Sequence, residues 1–227
     1  MAYGYEINDL AKEESWRMFR IIGELVEGFD RLSGIEPAVT IYGSARIKPD
    51  DELYAQTEEI ARRLGELGFS IISGGGPGIM EAANKGASEA GTTSVGLNID
   101  LPQDQICNPY TTKSITFKHF FVRKVMLVKY ATAFIIMPGG LGTLDELTEV
   151  LILMQTHKIK PFPVVLFNSK FWKGFLDWLQ SSVLARGLVS EEDFNLLRIC
   201  DEPNAVVEIV QKWYIQQEII GRKAVVR

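Results

Sequence analysis

Ala133-Phe134-Ile135-Ile136-Met137-Pro138-Gly139-Gly140-Leu141-Gly142-Thr143-Leu144-Asp145-Glu146 passes from an unbroken apolar run, through a turn of small residues, into a helical pattern. Five apolar residues ahead of a proline and two glycines read as a strand covered on both faces. From Thr143 the spacing predicts a helix over 143–156. The same succession recurs along the chain. Apolar runs at Val39–Tyr42, Phe69–Ser73, Ser94–Ile99 and Pro163–Phe167, with weaker ones at Ile115–Phe117 and Leu197–Cys200, alternate with helical stretches at 52–67, 78–90, 119–130, 171–185 and 204–218. Alternation of this kind implies right-handed crossovers and a parallel sheet.

The predicted architecture is therefore α/β: a doubly wound, Rossmann-like parallel sheet with helices on both faces and one extra helix ahead of it. That extra helix spans residues 9–33, where Trp16, Phe19, Ile22, Leu25, Val26, Phe29 and Leu32 recur every three to four residues. Ser33-Gly34 stops it and Pro37 follows. Its apolar stripe is expected to dock on the main sheet. At 227 residues a single domain is the default expectation, and Gly221–Arg227 reads as a frayed tail.

Composition removes several classes of function. Hydrophobic residues at 46% and charged residues at 23% are those of an ordinary globular protein. A net charge of -5 argues against a nucleic-acid coat protein. Two cysteines (Cys107, Cys200) and two histidines (His119, His157) stand far apart without ligand spacing, so no metal site and two reduced thiols are expected. Residues 1–12 are polar and acidic rather than basic then apolar, which predicts no signal peptide. No apolar run approaches the roughly 20 residues that span a bilayer, so the protein reads as cytoplasmic.

Three strands end in small-residue turns: Gly43-Ser44-Ala45-Arg46, Gly74-Gly75-Gly76-Pro77-Gly78, and Pro138-Gly139-Gly140-Leu141-Gly142-Thr143. Ligands of open parallel sheets bind at the carboxyl ends of strands. Glycine lets the backbone approach an anion, and the following helix N-terminus supplies free N–H groups. Counting from Gly74 or Gly76 breaks the dinucleotide pattern G-x-G-x-x-G, and the P-loop ending in Gly-Lys-Ser/Thr is absent. The turns thus predict a phosphate-bearing nucleotide held in neither of those two ways.

Pro138 through Glu146 matches Pro-Gly-Gly-x-Gly-Thr-x-x-Glu, the signature of the Lonely guy family of nucleotide phosphoribohydrolases, long labelled possible lysine decarboxylases. Gly74–Gly78 with Ile79-Met80, the pair Arg123-Lys124, and Gln155 with Lys160-Pro161 extend the resemblance over residues 38 to 200. It implies hydrolysis of the N-glycosidic bond of a nucleoside 5′-monophosphate, of the AMP or cytokinin riboside type, by a homodimer without cofactor. It also implies that Arg123 and Glu146 are catalytic and Lys124 binds substrate. The decarboxylase label is set aside, because pyridoxal phosphate needs an anchoring lysine in a much larger fold and no such site is evident.

Glycosidic cleavage develops cationic character on the ribose, which a carboxylate such as Glu146 can stabilise. Orienting the water and binding ribose hydroxyls are equally open roles for it. Arg123 can hydrogen-bond the leaving base or the phosphate through its planar fork, or form an internal salt bridge with Glu146 or Glu149. Gly75, Gly76, Gly139, Gly140, Leu141, Gly142 and Thr143 form the expected phosphate and substrate turns. Ser44, Arg46, Gln105, Asn108 and Glu149 are further candidates for substrate contact. The family's plant members carry a histidine two residues before the arginine; here Phe121 occupies that place. An alternative from another class is a non-catalytic nucleotide or molybdenum-cofactor carrier of the same fold.

Overall fold

Seven strands pair in one all-parallel sheet in the computed structural model, which describes residues 14–101 and 107–225. They are β1 (Ala38–Tyr42), β2 (Ser70–Ser73), β3 (Ser94–Ile99), β4 (Lys113–Phe117), β5 (Ala131–Ile136), β6 (Val164–Phe167) and β7 (Leu197–Cys200), in the order β4-β3-β2-β1-β5-β6-β7. The chain winds outward from β1 in one direction, returns, and winds outward from β5 in the other. The crevice where the order reverses lies between the carboxyl ends of β1 and β5, the place where doubly wound sheets bind ligands.

The helices are α1 (Glu14–Leu32), α2 (Glu52–Glu66), α3 (Ile79–Glu89), α4 (Phe120–Lys129), α5 (Leu141–Gln155), α6 (Ser169–Trp178), α7 (Glu191–Phe194) and α8 (Pro203–Val225). On one face of the sheet, Leu32, Val122, Met126, Leu147, Val150 and Trp172 from α1, α4, α5 and α6 build a core. On the other, Ile60, Leu64, Ala83, Ala87, Val206 and Val210 from α2, α3 and α8 build a second. β1, β2, β3 and β6 are buried along their whole length, which is why they read as continuous apolar runs.

Several boundaries differ from those the sequence predicts. β4 begins at Lys113 because its polar first residues still pair with β3, Val95 opposite Lys113. The helix expected over 171–185 starts earlier, where the Asn168 side chain accepts from the Phe171 N–H. It then loosens into a π-helical turn at Leu179–Val183 and a tight turn at Leu184–Arg186. The four-residue α7 was not expected, although Ser190 and Asp193 close a capping box on it. α8 continues to Val225, past Gly221, where a frayed tail was expected.

The largest correction concerns α1; residues 9–13 of the expected helix lie outside the described residues. Of the expected stripe only Leu25 and Leu32 dock, with Ile21 beside them. Trp16 is 69% exposed and Phe19, Ile22, Val26 and Phe29 also face outward. The reason is at Gly28, where a Cβ would meet Met126 at 2.7 Å. Close approach to α4 at this glycine turns the rest of the stripe away from the sheet. Glu24 of α1 then caps α4, accepting from the Lys118 and His119 N–H groups at 3.3 and 3.2 Å, with His119 Nδ1 3.0 Å from its carboxylate.

Candidate functional site

The three small-residue turns converge at the β1/β5 crevice and are sewn together by backbone hydrogen bonds. Met137 N–H donates to Tyr42 O at 2.8 Å, Ser44 N–H to Pro138 O at 3.1 Å and Ile79 N–H to Ser44 O at 3.0 Å. Each strand end therefore positions the next turn.

The Gly74–Gly78 turn is walled in by the protein itself. Gly75 and Gly78 have positive φ, +71° and +68°, and a Cβ on Gly75 would overlap the Asn98 side chain. Behind the turn runs a buried polar network. Ser73 Oγ accepts from Gly75 N–H and donates to Asn84 Oδ1 at 2.6 Å, and Asn84 Nδ2 donates to Ser94 Oγ at 2.9 Å. Asn108 donates from Nδ2 to Gly76 O at 3.1 Å and to Asn84 Oδ1 at 2.9 Å, while its N–H bonds Gly75 O. Asn108, a candidate for substrate contact, is thus a buried brace for the turn.

Arg123 enters this site from α4. It is only 8% exposed, and its Nε donates to Leu97 O at 2.7 Å. Its Nη2 fills the space where a Cβ on Gly74 would lie, which gives Gly74 a purpose that motif counting does not supply. No protein hydrogen bond or ion pair engages its terminal nitrogens among the described residues. Burial lowers its pKa, opposed by the nearby charge of Glu146.

α5 begins at Leu141, two residues before its expected start, so Glu146 lies in the second turn and gains little from the helix dipole. The Glu146 carboxylate has no hydrogen-bond partner among the described residues. Burial pushes its pKa up to about 7, with Arg123 pulling down and Asp145 pushing up. Arg123 and Glu146 therefore act on each other's charge without forming an ion pair, so the predicted internal salt bridge is not made. Lys124 takes that role instead, 2.9 Å from Asp145 and 3.4 Å from Glu149. The bridge ties α4 to α5 and half-buries Glu149, whose pKa burial raises and Lys124 restrains.

Around the third turn the space is open. Gly140 caps α5 without a side-chain hydrogen bond, and a Cβ on Gly140 or Gly142 would meet nothing within 4 Å. Leu141 is 85% exposed, and its place next to the turn is all the structure gives it. Thr143 is buried and packs beneath Gly139, where a Cβ would overlap its hydroxyl. Uncapped N–H groups at the start of a 15-residue helix offer donors and a positive dipole end to an anion.

Among the other candidates, Ser44 Oγ accepts from its own turn's Arg46 N–H at 3.1 Å, and the Arg46 side chain is exposed. Gln105 lies outside the described residues. Tyr42 was missed. As the last residue of β1 it sits in the crevice, buried, and Glu146, Glu149 and Arg123 all act on its phenol. Its only sequence signal was a tyrosine at the end of the strand that leads into the first turn. Among the described residues no group of three His, Cys, Asp or Glu is placed to hold a metal ion, and no helix is long and apolar enough to cross a membrane.

Comparison with known proteins agrees with this geometry. Over 139 residues the chain is 30% identical to the cytokinin riboside 5′-monophosphate phosphoribohydrolase LOG of rice (Oryza sativa subsp. japonica), covering 59% of this chain and 56% of that protein. Over 146 residues it is 31% identical to the pyrimidine/purine nucleotide 5′-monophosphate nucleosidase of Escherichia coli K12, covering 58% of this chain and 31% of that protein. The chain thus matches little more than half the length of the first relative and under a third of the second. Among solved structures, the molybdenum cofactor carrier protein of Chlamydomonas reinhardtii superposes with a TM-score of 0.57 at 19% identity, over 79% of this chain and 98% of that one, a likeness of fold. Residues 80–210 match the family described as "Possible lysine decarboxylase". With Arg123 and the Pro138–Glu146 turn inside that stretch, the chain belongs to this family, the Lonely guy family.

Proposed function

We propose that the protein hydrolyses the N-glycosidic bond of a nucleoside 5′-monophosphate, releasing the free base and ribose 5-phosphate. One observation carries this reading: beside an open helix N-terminus, the buried Arg123 guanidinium, held by the protein only through Nε, and the partly buried Glu146 carboxylate, with no protein partner, lie within reach of each other's charge. Buried charged groups without partners are costly and call for a ligand that completes them. The names of the rice and E. coli relatives point to the same chemistry.

In this mechanism the Gly139–Thr143 turn binds the 5′-phosphate through backbone N–H groups. That places the ribose over Glu146, whose carboxylate stabilises the positive charge developing at the anomeric carbon and takes a proton from the attacking water. The base leaves with the glycosidic bond pair and takes up a proton from solvent. Arg123 donates to the departing base from the side of Gly74. Lys124, held by Asp145 and Glu149, fixes the α4–α5 spacing and adds positive charge near the phosphate. The reaction as written uses no metal or redox cofactor, and the protein is assigned to the cytosol.

A homodimer is part of the same reading. α1 and α4, packed on each other, leave Trp16, Phe19, Val26, Phe120, Phe121 and Val125 exposed, apolar side chains that a second copy of the chain can cover. Light scattering coupled to gel filtration should give twice the chain mass.

The decisive experiment incubates the protein with a panel of nucleoside monophosphates and follows free base by chromatography. Release of base, lowered by about two orders of magnitude or more in both Glu146→Gln and Arg123→Ala, supports the hydrolase. Tight binding of nucleotide or molybdenum cofactor with no base released supports the carrier instead.

A further inference from the structure

We propose that Tyr42 reads a ribose hydroxyl of the substrate and so makes the site selective for ribonucleotides over deoxyribonucleotides. The inference rests on the phosphoribohydrolase reading and names a contact that the family motifs do not contain.

Tyr42 is the last residue of β1, at the switch point of the sheet, and its position is rigidly set. Its carbonyl accepts from Met137 N–H at 2.8 Å, which ties it to the turn that opens α5. Its ring stacks parallel to Phe134, with interplanar angle 1° and centroids 6.3 Å apart. The side chain is 3% exposed and belongs to the core on the α4/α5 face, the face that carries Arg123 and Glu146. A tyrosine so placed normally finds a partner for its hydroxyl. This one has none among the described residues. Nor is the hydroxyl sealed in dry protein: the one sealed and unpartnered side-chain atom among the described residues is Asn98 Oδ1.

The phenol is a neutral group in this cleft. Burial, then Glu146, then Glu149 hold it protonated, against the pull of Arg123. The crevice therefore presents an acceptor carboxylate and a neutral hydroxyl that both donates and accepts, neither with a protein partner, and a cationic donor held by the protein only through its Nε. A flat base edge or a phosphate does not satisfy that set. A vicinal diol does, since one hydroxyl can donate to Glu146 while it or its neighbour accepts from Tyr42. A phosphate on the Gly139–Thr143 turn brings the ribose of the same nucleotide to this place.

The test compares AMP, 2′-deoxy-AMP and 3′-deoxy-AMP with wild type and Tyr42→Phe, which keeps the ring on Phe134 and removes only the hydroxyl. Wild type should prefer AMP over at least one deoxy analogue by about tenfold or more in kcat/KM, as expected when a site loses a designed hydrogen bond. In Tyr42→Phe that preference should shrink to within about threefold, because AMP activity falls by more than activity on the discriminated deoxy analogue. An unaltered preference overturns the proposal, and so does an equal fall on all three substrates, which would mark a packing residue. A wild type with no preference overturns it as well. If wild type releases no base from any of them, hydrolysis itself fails. The binding of the same three nucleotides by calorimetry then decides: a ribose preference abolished in Tyr42→Phe supports the contact, and equal binding or none refutes it.

Discussion

The two glycine turns look alike in sequence and are opposites in structure. At Gly74, Gly75 and Gly78 the protein's own atoms occupy the place a side chain would take: Arg123 at Gly74, Asn98 at Gly75, and the Ser44 carbonyl 2.5 Å from a Cβ at Gly78. At Gly140 and Gly142 nothing stands within 4 Å, and neither glycine needs a positive φ. The first turn is glycine because the fold demands it. In the second the fold demands glycine at Gly139, beneath which Thr143 packs, but not at Gly140 or Gly142, which is the mark of space kept for a ligand. Substitutions should therefore separate cleanly: damage to stability at the first turn, damage to function at the second.

The largest effect is expected at Gly78. Its φ of +68° with ψ of -127° lies in a region that residues with a Cβ hardly visit, and a methyl there meets backbone. Gly78→Ala should cost roughly 4 kcal/mol, combining backbone strain with overpacking against atoms that cannot yield. Urea unfolding measures it. A loss below about 1 kcal/mol would mean that the turn adjusts and the contrast with the second turn is false.

At the second turn, Gly140→Asp sets a carboxylate where the phosphate belongs. We expect it to fold with a wild-type unfolding midpoint and to lose at least about a hundredfold in kcat/KM on AMP, equivalent to ~2.7 kcal/mol. Wild-type AMP activity should exceed adenosine activity by a similar factor, because phosphate binding orients the ribose as well as holding it. Gly140→Asp should leave the weak adenosine rate nearly unchanged. Equal efficiency on nucleoside and nucleotide in the wild type would remove the phosphate from this turn.

Both turns were visible as motifs, yet the sequence could not tell them apart. Apolar runs flanked by small residues located the strands, because buried parallel strands have no polar face to confuse the pattern. Arg123 and Glu146 stood out as charges, one within an apolar helix and one within a motif. What separates the turns is long-range. Arg123 reaches Gly74 from 49 positions along the chain, and the partners of Lys124 depend on how α4 meets α5. Tyr42 was hidden for a related reason: a phenol at a strand end and a core tyrosine are the same letter until the facing helices are known. The outward part of α1 was misread because its apolar positions spread too far round the helix to dock together, and which of them dock is set at Gly28 by Met126.

Glu146 extends the contrast, since the side kept open for a ligand should also carry the destabilising charge. Its carboxyl pKa is raised from 4.5 to about 7 in the folded protein. Between those values the native state holds a proton that the unfolded chain has released, so this group's contribution to stability falls as pH rises through that window. Above pH 7 the cost is fully present, on the order of 2 kcal/mol after solvent screening. Glu146→Gln should therefore be more stable than wild type by roughly that amount at pH 8 and nearly equal to it at pH 4. Wild-type kcat/KM should rise with pH through an acid limb near 7. A variant less stable than wild type at pH 8 would show that the carboxylate is a structural asset and not a functional liability.

The smallest effect is the sharpest discriminator. Gly142 sits in the first turn of α5 with ordinary helical φ and open space around it. Alanine there lowers the entropy of the unfolded chain and favours helix, so Gly142→Ala should stabilise the protein by about 0.5 kcal/mol. A methyl at that point also stands in the approach of an anion to the helix N-terminus. AMP turnover should fall about three- to tenfold in kcat/KM, through weakening of one or two of the N–H bonds to phosphate. The two readouts must move in opposite directions, because a change that only perturbed folding would lower both. Stabilisation with unchanged AMP activity would show that no ligand passes Gly142 and confine the phosphate to the Gly139–Gly140 side of the turn. Destabilisation would show that the space is already used by the protein, which would make the second turn a copy of the first.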